Sequence, residues 1–212
     1  MNLTVDFKKP EIAGAFDWQL CQEINVKNEQ GDIIAKAEIE LITLNKHRDA
    51  VGSYTLLANE DTDWEIPLNL YFKGQNLEQG LCEQLSITAE TKKAKTHILL
   101  EAISVLPRYR RQAIGQYLLR EIVKHHQKAQ SITVLSMPMH LFVDADECED
   151  EGIKAYYQAA DLQTEKVTID DLTHFFTKSG FVDFTVDESL LAEPLPYQIF
   201  VGSPHSILKD SI

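Results

Sequence analysis

The sequence predicts an α/β protein with a mixed, mostly antiparallel central sheet and flanking helices, on three observations. Two early segments, "QLCQEINVK" and "IIAKAEIELITL", alternate apolar and polar residues and are joined by "NEQGD", whose Gly31 suits a turn. The strand-like run "THILLEAISV" is followed by a helical stripe and then by a second strand-like run, "SITVLSM". After a further helical segment, "VDFTVD" and "PYQIFVG" read as closing strands. Hairpins on both sides of one strand–helix–strand crossover make the sheet mixed, because the crossover normally pairs its two strands in parallel.

Composition sets the bounds. A chain of 212 residues can bury a proper core, and the expectation is one domain with an acidic insertion at about residues 143–170. The net charge of −13 argues against general affinity for nucleic acid or an anionic membrane, and a cationic partner fits it better. No apolar run approaches the roughly 18 to 20 residues of a membrane span, and the start lacks the order of a secretory signal. With three cysteines in no paired spacing, the expected location is cytoplasmic.

In chain order, the hairpin covers Gln19 to Leu44. "DAVGSYTLLANEDTDWEIPLNLYF" is expected to hold a strand and a connecting loop, and "NLEQGLCEQLSITAETKK" a short helix. In "THILLEAISV" a period of two puts Leu99, Glu101, Ile103 and Val105 on one face. From about Arg111 to Lys128, Ile114, Tyr117, Leu118 and Ile122 recur at three and four, the stripe of a helix lying on a sheet. "GIKAYYQAADLQTEK" is helical, and in "TIDDLTHFFTKSGF" Asp170 or Asp171 can cap a helix that stops at Gly180. The run "DADECEDE", Asp144 to Glu151, reads as a solvated loop, or else as a feature that attracts a cation. It does not match a calcium-binding loop, and the histidines show no metal-ligand spacing.

The junction "PRYRRQAIGQYLL" carries the chemistry. Between Pro107 and Lys128 stand six basic residues and one acid, in a protein that is acidic as a whole. A helix start exposes unpaired N–H groups and the positive end of its dipole, so an anion can dock there. Charge alone favours a solvated basic face, whereas Ala113 and Gly115 leave the approach narrow and open.

"AISVLPRYRRQAIGQYLL" resembles the coenzyme-binding motif of the GNAT superfamily of acyl-CoA-dependent N-acyltransferases, with Arg110, Ala113 and Gly115 on its three defining positions. Ala113 departs from the usual first Gly, which matters if φ there is positive. "HFFTKSGF", His174 to Phe181, is similar to the family's "FYxKxGF" segment. The resemblance implies acetyl-CoA as co-substrate. Backbone groups of Ile103, Ser104 and Val105 would hold its pantetheine arm, and Arg110, Arg111, Gln112, Ala113, Ile114, Gly115 and Gln116 its pyrophosphate. It also implies an amine acceptor, either a small molecule or a Lys-containing peptide, with monomer and homodimer both open. Glu101 is the candidate base, because a carboxylate among apolar neighbours has a raised pKa; a solvent-facing strand position is the other reading. The motif's usual acid is Tyr, but Phe176 stands there and has no proton to give. Tyr156, Tyr157 and Tyr197 are candidate substitutes, Tyr157 first, and His140, just after the strand, reads more as a surface or capping residue than as one that lines the cleft. A coenzyme-binding module without turnover is the alternative reading.

Overall fold

The computed structural model describes residues 2–44, 48–70, 72–73, 76–87, 96–164, 166–184 and 195–209. Strands β1 (Thr4–Phe7) and β2 (Glu11–Ile12) pair antiparallel with β3 (Gln19–Lys27), which turns into β4 (Ile33–Thr43). Gly31 takes φ +87° in that turn, and the Asn28 side-chain oxygen accepts the Gln30 and Asp32 amides. The predicted hairpin therefore rests on a glycine conformation and an Asn side chain acting together.

Where a strand and a loop are expected next, residues 50–70 form two helices instead. Asp49 caps α1 (Ala50–Glu60) by accepting the Val51 and Gly52 amides, and the Asp61 carboxylate accepts the Asp63 and Trp64 amides at the start of α2 (Thr62–Leu70). Two Asp caps twelve residues apart therefore start two consecutive helices. A small ribbon of β5 (Phe72–Lys73) and β6 (Asn76–Leu77) leads to α3 (Gln79–Gln84), the expected short helix. The rest of that segment, from residue 88, lies outside the described residues.

Strand β7 (Thr96–Val105) runs antiparallel to β4 on one side and parallel to β8 (Ser131–Ser136) on the other. The crossover between them is α4 (Ile114–His125). It begins three residues later than the stripe suggests, because residues 107–109 form a tight 3-10 turn and Arg111 and Ala113 both have left-handed backbones. Then follow α5 (Glu151–Ala160), α6 (Ile169–Lys178), β9 (Val182–Asp183), β10 (Gln198–Gly202) and α7 (Pro204–Lys209). The cap of α6 is Thr168 rather than either expected Asp. Its hydroxyl accepts the Asp171 amide while the Asp171 carboxylate accepts the Thr168 amide, a reciprocal capping box. Gly180, at φ +87°, ends the turn after α6 as expected. The strand read in "VDFTVD" is only two residues long as described, and its part beyond Phe184 lies outside the described residues.

The sheet order is β1-β3-β4-β7-β8-β10-β9, with β2 beside β3, so the fold is the mixed, mostly antiparallel α/β architecture the sequence predicts. Each face carries its own core. On one, Ile39, Ile98 and Phe200 of the sheet meet Leu118 and Ile122 of α4, Phe176 of α6 and Ile207 of α7. On the other, Ile42, Leu99 and Val201 meet Leu57, Trp64 and Leu81 from α1, α2 and α3. Apolar area buried on both faces holds the central strands fixed, which a site built on their edges requires.

Candidate active site

The site begins at a fault in the sheet. Glu38 pairs with Ala102 and Ile39 with Leu100, so Glu101 is an extra residue with no partner on β4. Such a bulge resets the alternation of the strand that carries it. Leu99, Glu101, Ile103 and Val105 therefore do not share one face as a strict period of two predicts. Leu99 belongs to the core under α1 to α3, whereas Ile103 and Val105 pack with Ile98 and Leu100 under α4. On the opposite edge, β8 stays with β7 only from His97 and Ser131 to Leu100 and Val134; Leu135 and Ser136 pair with β10 alone. The two parallel strands thus part where the bulge sits.

Their parting opens a cleft of about 190 Å3 lined by residues 100–105 of β7 and 134–140 of β8 and the turn after it. Leu106 donates its N–H to Ile34 on β4. Backbone groups alternate in direction along a strand, so Ile103 and Val105 turn theirs the other way, toward the cleft. Ser104 directs its side chain elsewhere: its hydroxyl meets that of Tyr156 at 3.0 Å, and Tyr156 also donates to the Ser104 carbonyl at 3.2 Å.

Three residues beyond Arg110, Ala113 precedes α4 with no side-chain cap, so no cap of its own covers the first-turn amides. Ala113 has φ +59°, the strained case for an L-residue. Arg110 lines the cleft, but its Nε donates to the Val105 carbonyl at 3.0 Å and its Nη2 to the Ala160 carbonyl at 2.7 Å. It ties the end of β7 to the last turn of α5. Arg111 and Gln112 are exposed, the Gln112 amide donating to the Arg108 carbonyl. Ile114 is buried in the core and Gln116 is half-buried. A Cβ on Gly115 would stand 3.1 Å from the Phe175 ring, so that glycine makes room for α6 rather than for a ligand.

Glu101 borders both this cleft and a second cavity of about 410 Å3 on the α2 side, which is also lined by Glu38, Asp63, Tyr157 and Tyr197. Water still reaches its carboxylate, yet burial and then the charges of Glu40, Glu38, Asp63 and Asp61 push its pKa up to about 7. Burial is also the main cause that raises Glu38 and Asp63. Tyr157 opens onto the second cavity, its phenol pushed up by burial and then by Glu38. Tyr156 is taken up by Ser104, and Phe176 is buried against Phe181 and Phe200 at the edge of the cleft. His140 lines the cleft, rather than taking the surface or capping role favoured from the sequence.

Three residues escaped the sequence reading. Ser136 borders the cleft with a buried hydroxyl that has no hydrogen-bond partner among the described residues; nothing in "SITVLSM" singles it out. Glu38 and Asp63 line the second cavity, and in sequence they look like the polar face of a strand and an exposed helix acid. The acidic run is not a bare solvated loop: Asp144 accepts the Asp146 amide, Asp146 accepts the Gln158 side chain, and Asp150 caps α5. Helix α5 in turn sets Tyr156 and Tyr157 against the sheet.

No protein-family model and no curated protein matches the chain. Among the described residues no helix is long and apolar enough to cross a membrane. Among solved structures, the chain is similar to arylalkylamine N-acetyltransferase 2 from Aedes aegypti, at 14% identity and a TM-score of 0.37, over 86% of this chain and 73% of that one. It is also similar to mosquito arylalkylamine N-acetyltransferase like 5b, at 14% identity and a TM-score of 0.37, over 84% of this chain and 73% of that one.

Proposed function

We propose that this chain is an acyl-CoA-dependent N-acyltransferase, transferring acetyl from acetyl-CoA to a primary amine by direct attack. One observation carries the reading: the strands part at Glu101, so backbone groups of Ile103 and Val105 and a carboxyl with a pKa near 7 border one cleft, which reaches Arg110 just before the uncapped start of α4. Acetyl-CoA would supply an acyl group already activated as a thioester.

The donor set suits that molecule. Main-chain groups on a strand edge can hold an amide-bearing arm, and fixed first-turn amides can hold phosphate without reorganising. Arg111 and Arg108 add positive charge at the mouth, while Arg110 keeps the strand end in place. Glu101 then takes the proton from the amine nitrogen, a task for which a pKa near the working pH is the favourable one. Tyr157 is the proposed proton donor to the leaving sulfur, because Phe176 has no proton to give.

Buried Phe176 and strained Ala113 favour a second reading, a coenzyme-binding module without turnover. A thermal shift separates these from a chain with no coenzyme site, since ligand at about 100 times its Kd adds roughly 2.7 kcal/mol of stability. Acetyl-CoA binding with thiol release in the presence of amines supports the transferase, and binding without release supports the module. No shift with either acetyl-CoA or CoA overturns both.

A further inference from the structure

The hydrogen-bonding side chains that line the cleft between β7 and β8 are Glu101, Ser104, Arg110, Ser136 and His140. Ser104 is engaged by Tyr156, and Arg110 by the Val105 and Ala160 carbonyls. Glu101 is the proposed base, and His140 is half-buried on the turn after β8. Ser136 stands apart from these: it is 4% exposed, and its hydroxyl has no hydrogen-bond partner among the described residues. A buried hydroxyl left unsatisfied weakens a fold, so one that borders a cleft points to a group that enters the cleft.

The strands place that hydroxyl near the reacting end. Leu100 and Val134 are the last residues that β7 and β8 pair, so Glu101 and Leu135 come next and Ser136 stands one residue beyond that level. Side chains alternate along β8: Val134 packs in the core with Phe176, Leu135 in the core on the other face, and Ser136 returns to the side of Val134. Phe176 and Leu172 also line the cleft and keep its wall apolar. In such surroundings a hydrogen bond to a developing charge is stronger than in water.

We infer that the Ser136 hydroxyl donates a hydrogen bond to the thioester carbonyl oxygen of bound acetyl-CoA and holds the negative charge that forms there during attack. The inference rests on the transferase reading. As the amine nitrogen bonds to the acyl carbon, the π pair of the carbonyl moves onto its oxygen, and the hydroxyl donates to that oxygen while keeping its own proton. When the pair returns, the C–S bond breaks, and the sulfur takes its proton from Tyr157 in the proposed mechanism. An aliphatic alcohol keeps its proton at neutral pH, which suits a fixed donor and not a group that titrates during turnover. No bond within the chain has to break before this one forms.

Ser136→Ala in the full chain tests it. kcat is expected to fall by about 10²-fold, the scale on which one donor to an oxyanion acts, while affinity for free CoA, which has no acyl carbonyl, stays unchanged. The denaturation midpoint of the coenzyme-free variant is expected to hold or rise, since the hydroxyl removed had no partner to lose. Infrared difference spectra of carbonyl-labelled acetyl-CoA read the contact itself: the bound carbonyl stretch is expected at lower frequency in the unaltered chain than in the variant. An unchanged kcat, equal stretches in the two chains, a loss of CoA affinity as large as the loss of kcat, or a clearly lower midpoint each overturns the inference. The two readings fail separately. Acetyl-CoA binding without thiol release in the presence of amines ends the transferase, and the carbonyl stretch in that complex still decides the Ser136 contact; no binding of acetyl-CoA by the unaltered chain ends both.

Discussion

Ala113 holds a left-handed backbone that its Cβ disfavours, with φ +59° and ψ 13°, and it is exposed, so no packing compensates. Glycine adopts that conformation without the clash but loses more chain entropy on folding. The first term is the larger here, and Ala113→Gly is expected to stabilise the chain by about 1 kcal/mol, read as a higher denaturant midpoint at unchanged slope. A fall in the midpoint would mean that the loop does not hold this geometry. Glu101 carries the second expectation. Its pKa of about 7 in the folded chain stands above the ordinary 4.5, so the folded state holds the proton longer than the unfolded one. Its contribution to stability is full below pH 4.5 and is lost as pH rises through 7. Catalysis runs the other way: as the base, Glu101 must be ionised, so kcat/KM is expected to climb with a midpoint near 7. Glu101→Gln should remove that limb and depress turnover more than acetyl-CoA affinity. A profile that keeps its midpoint in the variant takes Glu101 out of the chemistry.

Arg110 shows what one side chain does for two elements. It joins the carbonyl ending β7 to the carbonyl of Ala160 at the end of α5, and the second acceptor gains from a cation at a helix C-terminus. Arg110→Met is therefore expected to destabilise the coenzyme-free chain by about 2 kcal/mol in chemical denaturation, since hydrogen bonds to charged groups contribute on that scale. An arginine that served phosphate alone would leave coenzyme-free stability untouched. Elements differ in how openly the sequence declares them. The β3–β4 hairpin and the β7–α4–β8 crossover were legible because alternation and helical stripe were both clean and Gly31 marked a turn. Helix α1 was not, although it buries Ala50, Ser53, Tyr54 and Leu57 at helical spacing, because Ser53 stands in the buried stripe while apolar Val51 and Leu56 face solvent. In α2 an internal Pro67 argues against the helix that forms. The bulge at Glu101 leaves no trace in the alternation of "THILLEAISV", so Glu101 was nameable while the face it serves was not. Glu38 and Asp63 were hidden for a related reason: a polar residue on a strand or helix looks the same whether it meets bulk water or a cavity wall.

At the scale of the whole molecule, two local fields of opposite sign lie near one another in a chain of net charge −13. Arg108, Arg110 and Arg111 stand in the segment leading into α4, while Glu38, Asp63 and Glu101 face the cavity on the α2 side. An anionic coenzyme and a cationic acceptor would thus be drawn to different mouths, and only the acceptor is also drawn by the molecule as a whole. Charges of this kind act through solvent over about 30 Å at 0.01 M salt and about 10 Å at 0.1 M. Raising salt across that range is therefore expected to lower kcat/KM for a protonated amine by at least several-fold, because steering of a charged ligand by a whole protein is worth roughly 10 to 10³ in association rate. A weakly basic amine, uncharged at neutral pH, provides the control and should barely respond. If both acceptors respond alike, the acidic cavity does not steer the acceptor, and the salt is acting on the coenzyme side instead.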